Sequence, residues 1–65
     1  MITVNGTTLK YETDVTLCEL LLQLQLSEQL CAIEVNDTLV PHKQHDEYKL
    51  QDGDNVEIVT LVGGG

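Results

Sequence analysis

The pattern of a capped amphipathic helix is present in one stretch, Thr16-Leu17-Cys18-Glu19-Leu20-Leu21-Leu22-Gln23-Leu24. The Thr16 hydroxyl can accept a hydrogen bond from the amide of Glu19, and the Glu19 carboxylate can accept one from the amide of Thr16, which makes a capping box. Val15 and Leu20 occupy the hydrophobic staple positions on either side of this cap. The leucines recur at helical spacing and predict one apolar stripe, formed by Leu17, Leu20, Leu21 and Leu24. Leu22 and Leu26 would widen this stripe. We expect a helix of about two to three turns whose leucine face packs on a sheet.

A β-hairpin is predicted before the helix. Ile2 and Val4 alternate with a polar residue, and Asn5-Gly6 then supplies two residues that tolerate positive φ at a tight turn. Residues 7–11 return as the second strand, which ends at Tyr11. An Asn-Gly pair between alternating residues is the strongest short-range signal of a hairpin.

Strand patterns also follow the helix. Residues 30–36 alternate, with Cys31, Ile33 and Val35 on one side and Ala32 and Glu34 on the other. Residues 38–40 form a short strand that stops at Pro41, because proline has no amide to donate to a ladder.

The last third of the chain contains a loop, a turn and a final strand. Residues 41–49 are polar, and we expect them to be irregular. Asp52-Gly53-Asp54 predicts a tight turn, and residues 55–62 then read as the last strand.

Strand patterns therefore enclose one helix, in the order ββαβββ. Strands on both sides of a single amphipathic helix predict an α+β fold, with one sheet covered on one face. A chain of 65 residues has room for one domain, which we assign to residues 1–62, with residues 63–65 as a flexible glycine tail.

The charge of the chain limits its partners. The formal net charge is −8, from eleven acidic and three basic residues. Because phosphate groups are bound through Lys and Arg, nucleic acids and anionic membranes are poor partners. A protein with a basic docking surface fits better, although acidity that only keeps a small protein in solution is the alternative. With no long apolar run and no signal-peptide pattern, we expect a soluble, cytoplasmic protein.

Two cysteines and two histidines are the first candidates for chemistry. Cys18 and Cys31 are too far apart in sequence for a Cys-x-x-Cys pair, and we interpret both as packing residues rather than as reactive or metal-binding thiols. His42 and His45 lie in the polar loop without further ligand spacing, and we interpret them as exposed loop residues rather than as a metal site. We expect no metal to be bound by this chain.

The acidic residues near the last turn do not form a calcium loop. Asp52, Asp54 and Glu57 lack the EF-hand spacing, and a turn that leads into a strand explains them better. The sequence holds no Ser-His-Asp order, phosphate-binding glycine loop or carboxylate cleft, and so short a chain lacks the volume for a closed active site. We therefore expect no catalytic residue in this chain, which is not an enzyme by itself.

The two faces of the last strand differ. Val56, Ile58, Thr60 and Val62 lie on one face. The other face begins polar and ends in Val59 and Leu61, which together with Val62 would form a docking surface beside the tail. The alternative is that the twist of the sheet buries Val59 and Leu61.

The tail itself is Gly63-Gly64-Gly65. Glycine loses the most entropy on ordering, so we do not expect this run to fold onto the body of the protein. When extended, three residues reach about 10 Å beyond the strand. Such a tail is as thin as a peptide can be and carries the Gly65 carboxylate, so a partner with a narrow channel can draw it in. A frayed terminus is the alternative.

Taken together, the segments resemble the ThiS family, the sulfur carriers of thiamine thiazole biosynthesis. They are the hairpin, the capped leucine helix, Val35-Asn36-Asp37-Thr38-Leu39-Val40-Pro41, Asp52-Gly53-Asp54-Asn55-Val56-Glu57-Ile58-Val59 and the terminal Val62-Gly63-Gly64-Gly65. The match runs in order over essentially the whole chain. It implies a β-grasp, ubiquitin-like fold, with a mixed sheet of about four to five strands and one helix packed on one face. One departure is that many members have an aromatic residue near the position of His45, which leaves the conformation of loop 41–49 open.

The resemblance also implies a mechanism. The Gly65 carboxylate would attack the α-phosphate of ATP inside an E1-like adenylating enzyme, and the adenylate would accept sulfur supplied from cysteine by a desulfurase. The C-terminal thiocarboxylate so formed would donate its sulfur to thiazole synthase. Gly63 and Gly64 would enter the partner's active site, and no protease would be needed because the chain ends at Gly65. ATP and magnesium would belong to the adenylating enzyme, so no cofactor is expected on this chain, which would be a monomer when free.

Two other functions stay open. Sulfur carriers of molybdopterin synthesis share the fold, the Gly-Gly end and the activation chemistry, but they are usually longer than this chain. A ubiquitin-like binding module without sulfur chemistry is the second alternative, and its tail would be inert or joined to lysines.

Overall fold

The computed structural model describes residues 1–10, 14–26 and 31–60. In chain order the elements are β1 (Ile2–Val4), β2 (Thr7–Leu9), α1 (Leu17–Gln23), β3 (Cys31–Val35), β4 (Thr38–Val40), a 3-10 helix (His42–Gln44) and β5 (Asn55–Thr60). The strands form one five-stranded sheet in the order β2-β1-β5-β3-β4. β1 and β5 are parallel and the other neighbours are antiparallel, so the sheet is mixed, as expected. The predicted strand ends at Tyr11 and Leu30 lie outside the described residues.

The Asn-Gly turn joins β1 to β2. Asn5 has φ 49° and Gly6 has φ 84°, the positive values that the turn requires. Val4 lies opposite Thr7 across the turn. The predicted hairpin is therefore confirmed.

The hydrophobic core lies between one face of the sheet and α1. Its buried side chains are Ile2, Val4, Leu17, Leu20, Leu21, Cys31, Ile33, Val35, Val40, Leu50, Val56 and Ile58, and Val15, Leu24 and Leu26 pack against them. The prediction that Leu22 widens the buried stripe is wrong, because its side chain is 71% exposed. Each residue advances a helix by about 100°, which carries Leu22 past the face that Leu20 and Leu21 bury.

The capping box of α1 is present as predicted. The amide of Glu19 donates to Thr16 Oγ1 at 3.1 Å, and the amide of Thr16 donates to Glu19 Oε1 at 2.9 Å. Both groups would otherwise have no partner within the helix. The cap fixes where the helix starts and therefore which leucines face the sheet.

Loop 41–49 covers the start of the same helix. The amide of Leu17 donates to the carbonyl of Tyr48 at 3.1 Å, and the amide of Cys18 donates to the carbonyl of His45 at 3.2 Å. These amides belong to the first turn, where an α-helix provides no acceptor of its own. The expectation of an irregular loop is thus corrected: the loop contains a 3-10 helix and supplies part of the helix cap.

We expect Thr16→Ala to lower the free energy of unfolding by about 1 kcal/mol, because the cap hydroxyl is lost. Urea denaturation followed by circular dichroism measures this change. The hydrogen bonds from Thr16 hold the pKa of the Glu19 carboxyl below its usual value of 4.5. A lowered folded-state pKa means that the carboxylate stabilises the protein above the unfolded-state pKa and loses this effect as pH falls through the folded-state value.

The difference between wild type and Thr16→Ala should therefore be smaller at pH 3 than at pH 7. Glu19→Gln is the matched control, since glutamine also fills a capping box but does not titrate. An equal difference at both pH values would show that the Glu19 charge contributes nothing to the cap.

Candidate functional site

Strand β5, which leads toward the glycine tail, is the middle strand of the sheet. β1 lies parallel to its first residues, with Val4 opposite Val56. β3 lies antiparallel along almost its full length, with Cys31 opposite Thr60 at the far end. Strand β5 is therefore held by backbone pairing to β1 at its start and to β3 as far as Thr60, the end that leads toward the tail.

The side chain of Asn5 extends the contact between β1 and β5. Its Oδ1 accepts from the amide of Ile58 at 2.7 Å, and its Nδ2 donates to the carbonyl of Ile58 at 3.1 Å. The backbone of β1 turns away at Asn5, so this amide group takes the place of one further residue of the strand. From the sequence, Asn5 is predictable only as a turn residue, because its second role depends on which strand lies beside it.

Val59 is exposed on the face of the sheet opposite α1. Its relative accessibility is 59%, whereas Val56 and Ile58 on the other face are buried. Sheet twist therefore does not bury Val59, and that alternative is wrong for this residue. Leu61, Val62, Gly63, Gly64 and Gly65 lie outside the described residues, so their docking and tail roles stay predictions.

Thr60 is the last described residue before the tail, and five residues follow it in the sequence. Five residues span at most about 17 Å when extended. A partner that acts on the Gly65 carboxylate must therefore bring its reacting groups within this distance of the end of β5.

We call the side of the sheet that carries Val59 the open face, because α1 packs on the opposite side. Alternation along the strands places on it Thr3, Thr8, Ala32, Glu34, Leu39, Asn55, Glu57 and Val59. Leu39 is 61% exposed, similar to Val59. The open face thus combines exposed apolar side chains with carboxylates, and none of the strand positions named above carries a basic residue.

Two glutamates meet on the open face. Glu34 of β3 lies directly opposite Glu57 of β5, and Leu39 of β4 lies opposite Glu34 on its other side. From the sequence, Glu57 is one of the acids near the last turn, and Glu34 lies on the side of its strand opposite Cys31. Alternation shows that each faces outward, but the pairing register that brings them together depends on the order of the strands.

The histidines of loop 41–49 occupy different environments. His42 is exposed, and its Nε2 donates to the carbonyl of Cys31 at 2.7 Å. The prediction that His45 is an exposed loop residue is wrong: its side chain is fully buried, and its Nε2 donates to the carbonyl of Val40 at 3.0 Å. The two rings lie 5.1 Å apart. They tie the loop to the start of β3 and the end of β4, which local sequence patterns do not reveal.

The cysteines have the environments expected of packing residues. Cys31 is a buried member of the core, and Cys18 on α1 is half-buried. Neither forms a disulfide. Among residues 1–10, 14–26 and 31–60, no group of three His, Cys, Asp or Glu side chains is placed to hold a metal ion.

The Asp52-Gly53-Asp54 turn is confirmed. Gly53 has φ 92°, and the Asp54 carboxylate accepts from the amide of Gln51 at 2.8 Å and from Asn36 Nδ2 at 3.0 Å. The ammonium group of Met1 forms an ion pair with Asp52, which holds the pKa of that carboxyl below its usual value. These acidic side chains therefore organise the entry into β5.

In the part of the chain that the structure describes, no helix has the length and apolar character needed to cross a membrane. Helix α1 has seven residues.

Comparison with known proteins agrees with this fold and tail. The family model described as the ThiS family matches residues 2–65. The Sulfur carrier protein ThiS of Bacillus subtilis (strain 168) is 35% identical over 66 residues, a match that covers 100% of both chains. The crystal structure of a thiamine biosynthesis protein (ThiS) from Geobacter metallireducens superposes with a TM-score of 0.79 and 30% identity, over 98% of this chain and 97% of that one. The β-grasp architecture is confirmed by this similarity.

A further relative is much longer. The Thiazole synthase of Paramagnetospirillum magneticum (strain ATCC 700264 / AMB-1) is 32% identical over 62 residues, which are 95% of this chain but 19% of that protein. That thiazole synthase therefore contains a segment similar to almost the whole of this chain. Since the family model and the relatives match from the first strand to the glycine end, this chain belongs to the ThiS family.

Proposed function

We propose that this protein is a sulfur carrier of thiamine biosynthesis that bears sulfur on the carboxyl group of Gly65. The observation that carries the proposal is the end-to-end match to a relative named as a sulfur carrier, with 35% identity over the full length of both chains. The sequence closes on Gly63-Gly64-Gly65, and the proposed chemistry uses the carboxyl group of the last glycine. It is a small carrier rather than an enzyme, and its partners supply the catalysis.

The proposed reaction has two steps. In the first, a Gly65 carboxylate oxygen attacks the α-phosphorus of ATP, pyrophosphate leaves and an acyl-adenylate forms. In the second, sulfur at the oxidation level of sulfide attacks the acyl carbon and AMP leaves, so that the product is a thiocarboxylate. An E1-like adenylating enzyme holds the ATP and magnesium. A desulfurase system takes the sulfur from cysteine as a persulfide, and a thiol reductant supplies the two electrons that release it at the level of sulfide. The carboxyl group is ionised at neutral pH, with a pKa of about 3.5, and is therefore the nucleophile without further activation.

Glycine suits the positions next to the reacting carbon. A side chain at position 64 or 65 would add a Cβ atom that crowds the carbonyl under attack and widens the peptide in the channel. Gly63 adds length to the tail without adding a side chain. We propose that Gly63 and Gly64 enter the partner's active site, while β5 provides a rigid base at Thr60.

Docking is proposed to involve the end of β5. Val59 is exposed near the described end of β5, and Leu61 and Val62 follow it in the sequence. Exposed apolar residues that surround a functional segment are typical of protein contact surfaces. The net charge of −8 favours a partner with a basic surface and fits a carrier that is monomeric when free in the cytoplasm.

Thiazole synthase is proposed as the acceptor of the sulfur. The relative from Paramagnetospirillum magneticum is named a thiazole synthase and contains a segment similar to 95% of this chain. Joining two functions in one polypeptide raises their effective concentration, which is useful when they act on one another. The molybdopterin pathway is the nearest alternative, and the names of the relatives favour thiamine over it.

The test is the intact mass of the protein after incubation with ATP, magnesium, the E1-like enzyme of the same genome and a sulfur source. We expect a gain equal to the replacement of one oxygen by sulfur, placed on Gly65 by fragmentation. Addition of thiazole synthase and its substrates should then return the original mass. An unmodified mass would instead favour a ubiquitin-like binding module, and sulfur lost only to a molybdopterin synthase would favour the alternative pathway.

A further inference from the structure

Two carboxylates on the open face lie close enough together for their repulsion to destabilise the fold. Glu34 and Glu57 lie directly opposite each other on neighbouring antiparallel strands, where Cβ atoms are about 4.5–5.5 Å apart and like charges are destabilising. Both side chains are exposed. Among the residues that the structure describes, neither carboxylate has a Lys side chain as an ion-pair partner. We call these two residues the acid pair.

Apolar side chains frame the acid pair. Leu39 lies opposite Glu34 on its far side, and Val59 follows Glu57 two residues later on the same face. Ala32 lies opposite Val59 and is half-buried. The patch therefore presents a compact double negative charge between two exposed hydrophobic side chains, Leu39 and Val59, the second of which lies near the described end of β5.

The two negative charges and their apolar neighbours indicate which kind of group would bind at the acid pair. A guanidinium group is planar, is always charged and donates in a fork that two carboxylate groups can share, and its stem packs on apolar neighbours. A second copy of this chain would bring two acid pairs together, and an anionic lipid or nucleic acid surface would be repelled. The net charge of −8 adds to the attraction of a basic protein surface.

We propose that the acid pair is a receptor for an arginine side chain of the adenylating enzyme and sets the orientation in which the tail is presented. The inference rests on the proposed function and adds to it the residues that determine partner specificity. The facing placement of Glu34 and Glu57 favours binding, because a bound guanidinium group removes the repulsion between their carboxylates that is present in the unbound protein. The acid pair positions the carrier, while the reacting group stays at Gly65.

The experiment measures carrier-dependent ATP–pyrophosphate exchange with the E1-like enzyme of the same genome, as a function of carrier concentration and salt. Replacement of both residues, Glu34→Gln with Glu57→Gln, should raise KM about tenfold with little effect on kcat, and should flatten the dependence of KM on salt. Asp46→Asn with Glu47→Gln is the matched control, because it also removes two negative charges and both acids are exposed in the loop that packs on α1. This control should stay within about twofold of wild type.

Glu34→Lys separates binding from folding. A lysine opposite Glu57 creates a favourable cross-strand pair, so the melting temperature should rise by about 2–6 °C. The same change places a positive charge where the partner's arginine is expected, so KM should rise further than in the double glutamine variant. A rise in stability together with a loss of binding is the outcome that a merely structural role of Glu34 does not produce.

Three outcomes would overturn the proposal. KM within twofold of wild type for the double glutamine variant would show that apolar contacts alone hold the partner. An equal effect of Asp46→Asn with Glu47→Gln would show that only net charge matters. If the wild-type carrier supports no ATP–pyrophosphate exchange, the proposed function itself is wrong. This outcome is distinguishable from the other two because the activity is already missing in the unsubstituted protein.

Discussion

Deletion of Gly65 should reduce thiocarboxylate formation at least 100-fold while leaving the free energy of unfolding unchanged. The deletion moves the terminal carboxylate by one residue, about 3.5 Å, and a displacement of about 1 Å in an active site can already cost a factor of about 100 in rate. Stability should not change, because the core residues that the structure describes all lie between Ile2 and Ile58. Intact mass after incubation with ATP, the adenylating enzyme and a sulfur source measures the first effect, and thermal denaturation measures the second.

A graded series of alanine substitutions provides the control for this deletion. Gly64→Ala should approach the deletion in severity, since its Cβ lies next to the reacting carbonyl, whereas Gly63→Ala should cause a smaller loss because the residue mainly adds length. Normal sulfur loading of the deletion variant would exclude the carboxyl group of Gly65 as the sulfur-bearing site. Equal losses in all three variants would indicate that the tail acts only through its flexibility.

Ile33→Ala should lower the free energy of unfolding by about 2–5 kcal/mol, because it removes a fully buried side chain and leaves a cavity. A chain of this length has a total stability of about 3–10 kcal/mol, so a large part of the population should be unfolded at 37 °C. Val59→Ala is the matched control on the opposite face of the same sheet and should change stability by about 0.5 kcal/mol or less. Urea denaturation of both variants measures the contrast.

The effects of these two substitutions on docking should be in the opposite order to their effects on stability. Val59→Ala should weaken docking to the adenylating enzyme in the folded protein, whereas Ile33→Ala should reduce activity only in proportion to the unfolded fraction. A large loss of stability in Val59→Ala would contradict the assignment of Val59 to an exposed surface.

Local signals in the sequence were enough to predict several parts of the fold. Asn5-Gly6 needs only its own preference for positive φ to predict the hairpin, and Thr16 with Glu19 needs only the helix start to predict the capping box. The alternation of Cys31 and Ile33 gave the correct buried face of β3. These features depend on residues that are neighbours along the chain.

Features that depend on distant contacts were missed. His45 is buried because loop 41–49 closes over the start of α1 and over β4, and a polar loop of this composition gives no sign of that contact. The family resemblance predicted a mixed sheet but not the parallel placement of β1 beside β5, since periodicity does not specify the order of strands. The facing positions of Glu34 and Glu57 follow from that order and could not be read before it was known.

The central position of β5 has a mechanical consequence. A partner that draws the tail into a narrow channel pulls along the axis of this strand. The load passes at Thr60 into a strand that is paired with β3 as far as this residue and with β1 at its start. Force parallel to a ladder loads its hydrogen bonds together, whereas force across an edge strand opens them one after another. The Asn5 side chain adds two further bonds at Ile58, near the point where tension enters the sheet. The fold can therefore act as an anchor, so that traction on the tail draws the whole carrier toward its partner instead of peeling the last strand away.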